Sequence, residues 1–353
     1  MKKILLIAIF FTCFISSIFF YNYLLKNSYK NFSQTIINKQ NPDEIKNEQN
    51  PLSIEYLRNR NYPSSNITIE ETLSPGENYN RYIASYQSDG LKIYGLFTVP
   101  NKEKQNGGFP SIVFLHGYLP PGQYVTTERY VLYQDGFAKN NYITFKPDLR
   151  GHGKSEGQPV NSNFSPEYVI DSLNLVSALK IYKDANPNKI GMWGHSNGGG
   201  ITLKSMVVSK DIKAGVIWAG VVGSYEDLLE RYQKRIPWIN LRQNSESSPS
   251  VSPSPILDLI NKYGSPSANP IFWSKIDPYS YLKDVSGPIE LHHGTADDNV
   301  PIELSRHLKS AMETVNKEIK LFEYQGADHN LSEPAFSIAI EKSIDFFDKY
   351  LKK

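Results

Sequence analysis

The sequence has 353 residues, 40% of them hydrophobic, and a formal net charge of +2. That is enough apolar content for one large core and too little charge to recruit nucleic acid or another polyanion. A lone cysteine, Cys13, excludes an intrachain disulfide and argues against a thiolate metal centre, and nothing implies a cofactor.

Lys2 and Lys3 lead into an apolar run from Ile4 to Leu25, close to the ~20 residues a helix needs to cross a bilayer. Residues 1–26 therefore predict a signal-anchor, or a signal peptide if the run is cut. Ser16-Ser17 offers small residues, but no Ala-x-Ala-like site follows. The expected arrangement is an N-terminal anchor with the following domain outside the cytoplasm, secretion after cleavage being the alternative. Residues 27–51, rich in Asn, Lys and Gln, read as a polar stalk or linker. The domain itself spans residues 52–353.

Tyr82–Tyr86 and Leu91–Pro100 alternate around Asp89-Gly90, a hairpin signal. Ser111–Leu115 is a short apolar strand ending at His116-Gly117, and Tyr142–Phe145 another, ending in Pro147-Asp148-Leu149-Arg150-Gly151-His152-Gly153. Ile190–Trp193, Ala214–Trp218, Ile289–His292 and Ile319–Tyr324 continue the series. Helical periodicity lies between them, at Tyr168–Tyr182 and Ile302–Val315, and Ala335–Leu351 closes the chain. Apolar strands alternating with amphipathic helices predict a mostly parallel, doubly wound α/β sheet. The long stretch between Trp218 and Ile289 breaks that rhythm and contains the Ser/Pro-rich run Ser245–Pro255. It predicts a mostly helical cap over about residues 223–285, with a plain surface insertion as the alternative.

Ile190–Gly200 holds the pattern Gly-x-Ser-x-Gly as Gly194-His195-Ser196-Asn197-Gly198. A strand precedes it and a helical stretch, Ile201–Ser209, follows. A serine in such a strand-to-helix turn stands out at the sheet edge, and flanking glycines relieve the crowding. Asn197 then offers its N–H, backed by the helix N-terminus, to an oxyanion. A serine hydroxyl needs a base, and the base an orienting carboxylate. Both follow in order: the acid-bearing turn His293–Pro301 after one strand, then Gly326-Ala327-Asp328-His329 after the next. In a parallel sheet these loops emerge on one edge, so Ser196, Asp297 and His329 can converge.

His293-Gly294-Thr295-Ala296-Asp297-Asp298-Asn299-Val300-Pro301 resembles the acid loop of the prolyl oligopeptidase family of α/β-hydrolases. Gly194–Gly199 and Gly326–His329 resemble its elbow and histidine loop, and Pro147–Ser155 a stretch common to many α/β-hydrolases. The resemblance covers about residues 80–350, with no room ahead of it in this sequence for the β-propeller of the family's large members. It implies an α/β-hydrolase fold and a serine hydrolase, with Asp297 rather than Asp298 as the acid. The expected substrate is a short peptide, or an ester if the chain is a broad carboxylesterase. A hydrolase fold kept as a non-catalytic binding protein is the alternative of another class.

The second oxyanion donor is expected after the first core strand, from the N–H of Tyr118, where many family members carry a second glycine. Tyr225, Leu228, Trp238 and Trp273 in the insertion are candidates for a substrate pocket. Arg231, Lys234 and Arg235 form either a carboxylate-binding group or one solvated helix face. No acidic pair there suits a peptide N-terminus, so an aminopeptidase is not expected. His152 and His195 read as structural neighbours of the site and His307 as a surface residue. The adjacent His292 and His293 point to opposite strand faces, which argues against a metal pair. Membrane contact is expected through the N-terminal segment only, and the oligomeric state is not indicated.

Overall fold

The computed structural model describes residues 50–104, 107–161, 163–235 and 255–352. Met1–Asn50 and Pro51–Lys353 are separate units, and the fold is that of the second. The expected leader and most of the stalk lie outside the described residues. Among the described residues no helix is long and apolar enough to cross a membrane.

The strands are β1 (Thr68–Leu73), β2 (Tyr79–Ser88), β3 (Leu91–Pro100), β4 (Phe109–Leu115), β5 (Ile143–Pro147), β6 (Ala185–His195), β7 (Ile212–Trp218), β8 (Ile289–Gly294) and β9 (Ile319–Tyr324). The helices are α1 (Ile54–Asn59), α2 (Val131–Lys139), α3 (Glu167–Ile181), α4 (Asn197–Val208), α5 (Pro255–Tyr263), α6 (Pro270–Ile276), α7 (Glu303–Thr314) and α8 (Ala335–Phe347). All strands join one sheet in the order β1-β2-β3-β5-β4-β6-β7-β8-β9. β4 to β9 run parallel, while β1, β2 and β3 are antiparallel to their neighbours. This is an α/β-hydrolase sheet.

The parallel strands read as unbroken apolar runs because helices cover both faces. In β4, Ile112 and Phe114 face one side, with Phe137 of α2 and Phe347 of α8. Phe114 stacks on Trp193 of β6 at 4.0 Å between ring centroids. Val113 and Leu115 face the other side, with Val169 and Leu173 of α3 and Leu203 and Met206 of α4. Each such side chain removed from water contributes roughly 1.5–3 kcal/mol. The β2–β3 hairpin turns where expected: Asp89 and Gly90 both have positive φ, 52° and 79°, the mirror-image turn that matches strand twist. β1 was not legible in the sequence. Thr68–Glu71 and Thr72 are exposed, so the strand is defined by its ladder to β2 rather than by apolar alternation.

One buried ion pair ties the turn after β5 to the helical layer. Asp171 on α3 is fully buried and accepts from Arg150 Nε at 2.8 Å and Nη2 at 2.6 Å, and from the Ser88 hydroxyl. Burial pushes the Asp171 carboxyl up, against the opposing pull of Arg150. Arg150→Met would leave that carboxylate buried without its charge partner. The expected loss is about 3–5 kcal/mol, measured by urea unfolding. A loss under about 1 kcal/mol would show the pair to be dispensable.

Candidate active site

The expected helix after the serine starts earlier than its composition indicates, at Asn197 instead of Ile201. Gly198, Gly199 and Gly200 are poor helix formers, yet they belong to the first turn because other backbone presses on them. A Cβ at residue 198 would lie 2.2 Å from Leu115 O, and one at residue 194 would lie 2.3 Å from Gly198 O. Ser196 sits between them at φ 54° and ψ −119°, a conformation costing a non-glycine residue roughly 1–3 kcal/mol. Surrounding strands hold it there. Ser196 N–H donates to Trp218 O at 3.0 Å, and Ser196 O accepts from Gly199 and Val221 N–H at 2.9 and 3.0 Å.

Asp297 and His329, the expected acid and base, lie in the turns after β8 and β9. Asp297 Oδ2 accepts from His329 Nδ1 at 2.8 Å, and Oδ1 accepts from the Asn299 and Val300 N–H groups at 2.9 and 2.8 Å. His293 Nε2 lies 3.1 Å from Asp297 Oδ2 and 3.0 Å from Val300 O, while its Nδ1 accepts from Ser305 Oγ at 2.7 Å. Burial alone would raise the Asp297 carboxyl. The bonds from His293 and His329 and the Val300 amide outweigh it, holding the group far below the usual carboxylate range. A carboxylate can only accept, so His329 Nδ1 carries the proton and Nε2 is left as the basic nitrogen. The His329 ring lies 4.7 Å from the ring of His195, the residue before the serine. Asp298, by contrast, is exposed and accepts from Asn299 Nδ2. His293 opens the acid-bearing turn in the sequence, and that position is the signal for its contact with Asp297.

The turn after β4 lies directly over the serine. A Cβ at Gly117 would come within 3.1 Å of Ser196 Cβ and 2.6 Å of the Tyr130 hydroxyl oxygen. Gly117 N–H donates to that hydroxyl at 3.0 Å. Tyr118 comes next and is 70% exposed. Among the described residues neither Tyr118 nor Asn197 N–H donates to a protein acceptor. Loop 118–130 is tied down from below by Lys146, buried on β5, which donates to Thr126 O at 2.8 Å and Arg129 O at 3.0 Å. Burial depresses that ammonium to about 8. His152 reaches Leu119 O at 3.1 Å, the structural part expected of it.

The insertion is helical where described, through α5, α6 and short turns at Asp227–Arg231 and Pro278–Asp284. Tyr225 and Trp273 are buried at 4% and 3% exposure, their rings 5.1 Å apart. Lys204 of α4 donates to the Tyr225 hydroxyl at 3.1 Å. The two aromatics thus pack the insertion onto the helix that follows the serine. The cavity beside Tyr225 and Leu228 is about 20 Å³, room for about one water and no larger group. Trp238 lies outside the described residues. Arg231 pairs with Asp227 and Glu226 and Arg235 with Glu303. His307, expected on the surface, is partly buried and lies 3.3 Å from both Asp227 carboxylate oxygens. A wide open groove of about 590 Å³, along Ile67–Ile69, Pro100–Lys102 and Lys183–Asp184, lies at the N-terminal ends of the parallel strands and includes none of these site residues.

Two family descriptions match the chain: serine aminopeptidase, S33, over residues 110–255, and the prolyl oligopeptidase family over residues 258–353. An uncharacterised peptidase of Bacillus subtilis (strain 168) is 24% identical over 257 residues, 72% of this chain and 88% of its own. Among solved structures, the acylaminoacyl peptidase of Pyrococcus horikoshii aligns with a TM-score of 0.60 at 22% identity, over 78% of this chain. This chain spans 42% of that longer one. The acetyl xylan esterase from Paenibacillus sp. R4 aligns with a TM-score of 0.61 at 17% identity, over 84% of this chain and 92% of its own. The motif resemblance and the matches agree, and the chain is a serine hydrolase.

The elbow makes a direct prediction. Gly198→Ala would push α4 away from the turn after β4, a displacement of the kind that costs about a hundredfold in rate. The second-order rate of fluorophosphonate labelling should fall by that order while circular dichroism stays unchanged. Labelling at the wild-type rate would show that the close contact does not set the serine's geometry.

Proposed function

We propose that this serine hydrolase cleaves peptide or ester bonds through an acyl-enzyme on Ser196, with short peptides as the preferred substrates. What carries the reading is His329: its Nδ1 is held by Asp297 at 2.8 Å, and its ring lies beside the residue preceding Ser196. Ser196 Oγ attacks the carbonyl carbon and its proton passes to His329 Nε2. The N–H groups of Asn197 and Tyr118 receive the oxyanion, and the N-terminus of α4 adds its dipole. Collapse expels the amine or alcohol, which takes the proton back from His329. Water then repeats the sequence on the acyl-enzyme. Asp297 keeps the imidazole in one tautomer and offsets the charge it acquires.

The peptidase preference rests on the family matches. An esterase reading is favoured by the 20 Å³ cavity beside Tyr225, which leaves no room there for a peptide side chain. Aminopeptidase action is the least supported. The acids at the start of the insertion are already engaged: Asp227 and Glu226 by Arg231, and Glu230 by Ser267. None is left to receive a peptide ammonium.

Ser196→Ala and His329→Ala should each abolish labelling by a fluorophosphonate and turnover of p-nitrophenyl acetate. A Ser196→Ala protein that is still labelled would refute the nucleophile. Asp297→Asn should cost about 10³–10⁴-fold in kcat, and Asp298→Asn far less; the reverse order would move the acid to Asp298. Because Asp297 is held ionised well below the usual range, the acid limb of the kcat/KM profile should follow one protonation, that of the base. A steeper limb that becomes a single protonation in Asp297→Asn would contradict this assignment. Peptide and ester libraries tested on the chain from about residue 50 on separate the two substrate readings. Efficient ester turnover with no peptide cleaved would leave the esterase.

For location, the apolar run Ile4–Leu25 supports an N-terminal anchor with the hydrolase domain extracytoplasmic. Fractionation of cells expressing the full chain tests it. Soluble protein in the medium, starting after about residue 20, would indicate a cleaved signal instead.

A further inference from the structure

Three chain segments must be registered to one another for Ser196, His329 and the oxyanion donors to act together, and one line of hydrogen bonds crosses all three. Gly117 N–H donates to the Tyr130 hydroxyl oxygen at 3.0 Å. That hydroxyl lies 2.7 Å from His195 Nδ1, and His195 Nε2 lies 2.9 Å from His329 O. The direction of every bond follows from chemistry. A backbone N–H can only donate and a carbonyl can only accept. His195 Nε2 therefore carries the ring proton, Nδ1 is bare, and the Tyr130 hydroxyl donates to it while accepting from Gly117. Both ends require the same neutral tautomer. The surroundings enforce it: burial, with the nearby His329 adding to it, lowers His195 to about 3, and burial raises the Tyr130 hydroxyl far above its ordinary value. Tyr130 is itself held at φ 61°, which argues that its ring is placed for a purpose at some local cost.

We propose that Tyr130 and His195 are positioning residues, forming one hydrogen-bond relay that sets the oxyanion turn, the nucleophile elbow and the backbone of the base loop in a common register. The proposal rests on the Ser196–His329 reading above. Commitment of the Gly117 N–H to Tyr130 leaves the next amide, Tyr118, to face the reacting carbonyl. The bond to His329 O holds the main chain of the base, while Asp297 holds its ring. A second link runs alongside without passing through His195, from the Tyr133 hydroxyl to Asn330 O at 3.1 Å, and serves as the internal control.

The test is a double-mutant cycle with Tyr130→Phe and His195→Leu, plus His195→Gln, which keeps a donor for His329 O. Each of the first two should lower kcat on p-nitrophenyl acetate about tenfold with KM changed less than about twofold. The double variant should lose no more than the worse single one, and His195→Gln should recover activity over His195→Leu. Losses that multiply, or equal activity of the Gln and Leu variants, would overturn the relay in favour of separate packing roles. A second measurement needs no substrate. Amide exchange in residues 326–332 should quicken in Tyr130→Phe, although among the described residues the removed hydroxyl bonds only Gly117 and His195. It should quicken there in Tyr133→Phe whatever the state of His195. Unchanged exchange in Tyr130→Phe would overturn the relay even if every hydrolase assay succeeds, and quickened exchange would sustain it even if the ester panel shows no turnover.

Discussion

The site depends on how closely two stretches of backbone approach each other. Leu115 O at the end of β4 sits where a side chain at residue 198 would be, and Gly117 lies where a side chain would strike both Ser196 and Tyr130. Only because residues 117 and 198 lack side chains can the turn after β4 lie against the first turn of α4. That contact brings the turn that carries Tyr118 against the start of α4, which carries Asn197. Ser196, beside it, holds a strained conformation that the bonds to Trp218, Gly199 and Val221 sustain. Strain at one residue is thus balanced by ladder bonds that the sheet makes anyway.

Around that contact, charge and burial hold Asp297 ionised and His195 neutral. Asp297 stays ionised because two histidines and two backbone amides point at it. His195 stays neutral because it is buried between a hydroxyl and a carbonyl. His329 is set apart by having one nitrogen engaged by Asp297 and the other left as the basic one. Neighbouring histidines at residues 195, 293 and 329 are therefore set apart by their partners and not by their residue type.

The insertion is joined to this machinery through α4. Lys204, four residues after Gly200, meets the Tyr225 hydroxyl, and Tyr225 N–H donates to the buried Asp277 carboxylate at 3.0 Å. Burial pushes that carboxyl up to about 6 and Lys204 down to about 8. Aromatic residues that the sequence offers as pocket lining serve here as the packing between helix and insertion, since an amphipathic cap needs its own core before it can cover anything.

Much of this was present in the sequence because it is local. Apolar runs of strand length, the Asp89-Gly90 turn and the order Ser196, Asp297, His329 follow from residue type and spacing, and a parallel sheet then brings the three loops to one edge. The choice of Asp297 over Asp298 came from a motif, and the structure adds its cause: one carboxylate is enclosed by donors and the other faces water. Other features have no local signal. β1 is made by pairing alone, since an exposed edge strand has no apolar alternation to show. The start of α4 at Asn197 runs against the helix propensity of three glycines and is imposed by Leu115 and its neighbours across the sheet. The partners of His195, at residues 130 and 329, are distant in the chain, and neither tyrosine nor histidine at those positions carries a mark of the bond it makes. Residue type and spacing determined which chemistry is available; three-dimensional closeness of backbone determined which groups could be brought to it, because steric fit and hydrogen-bond direction exist only between parts of the chain that have already met.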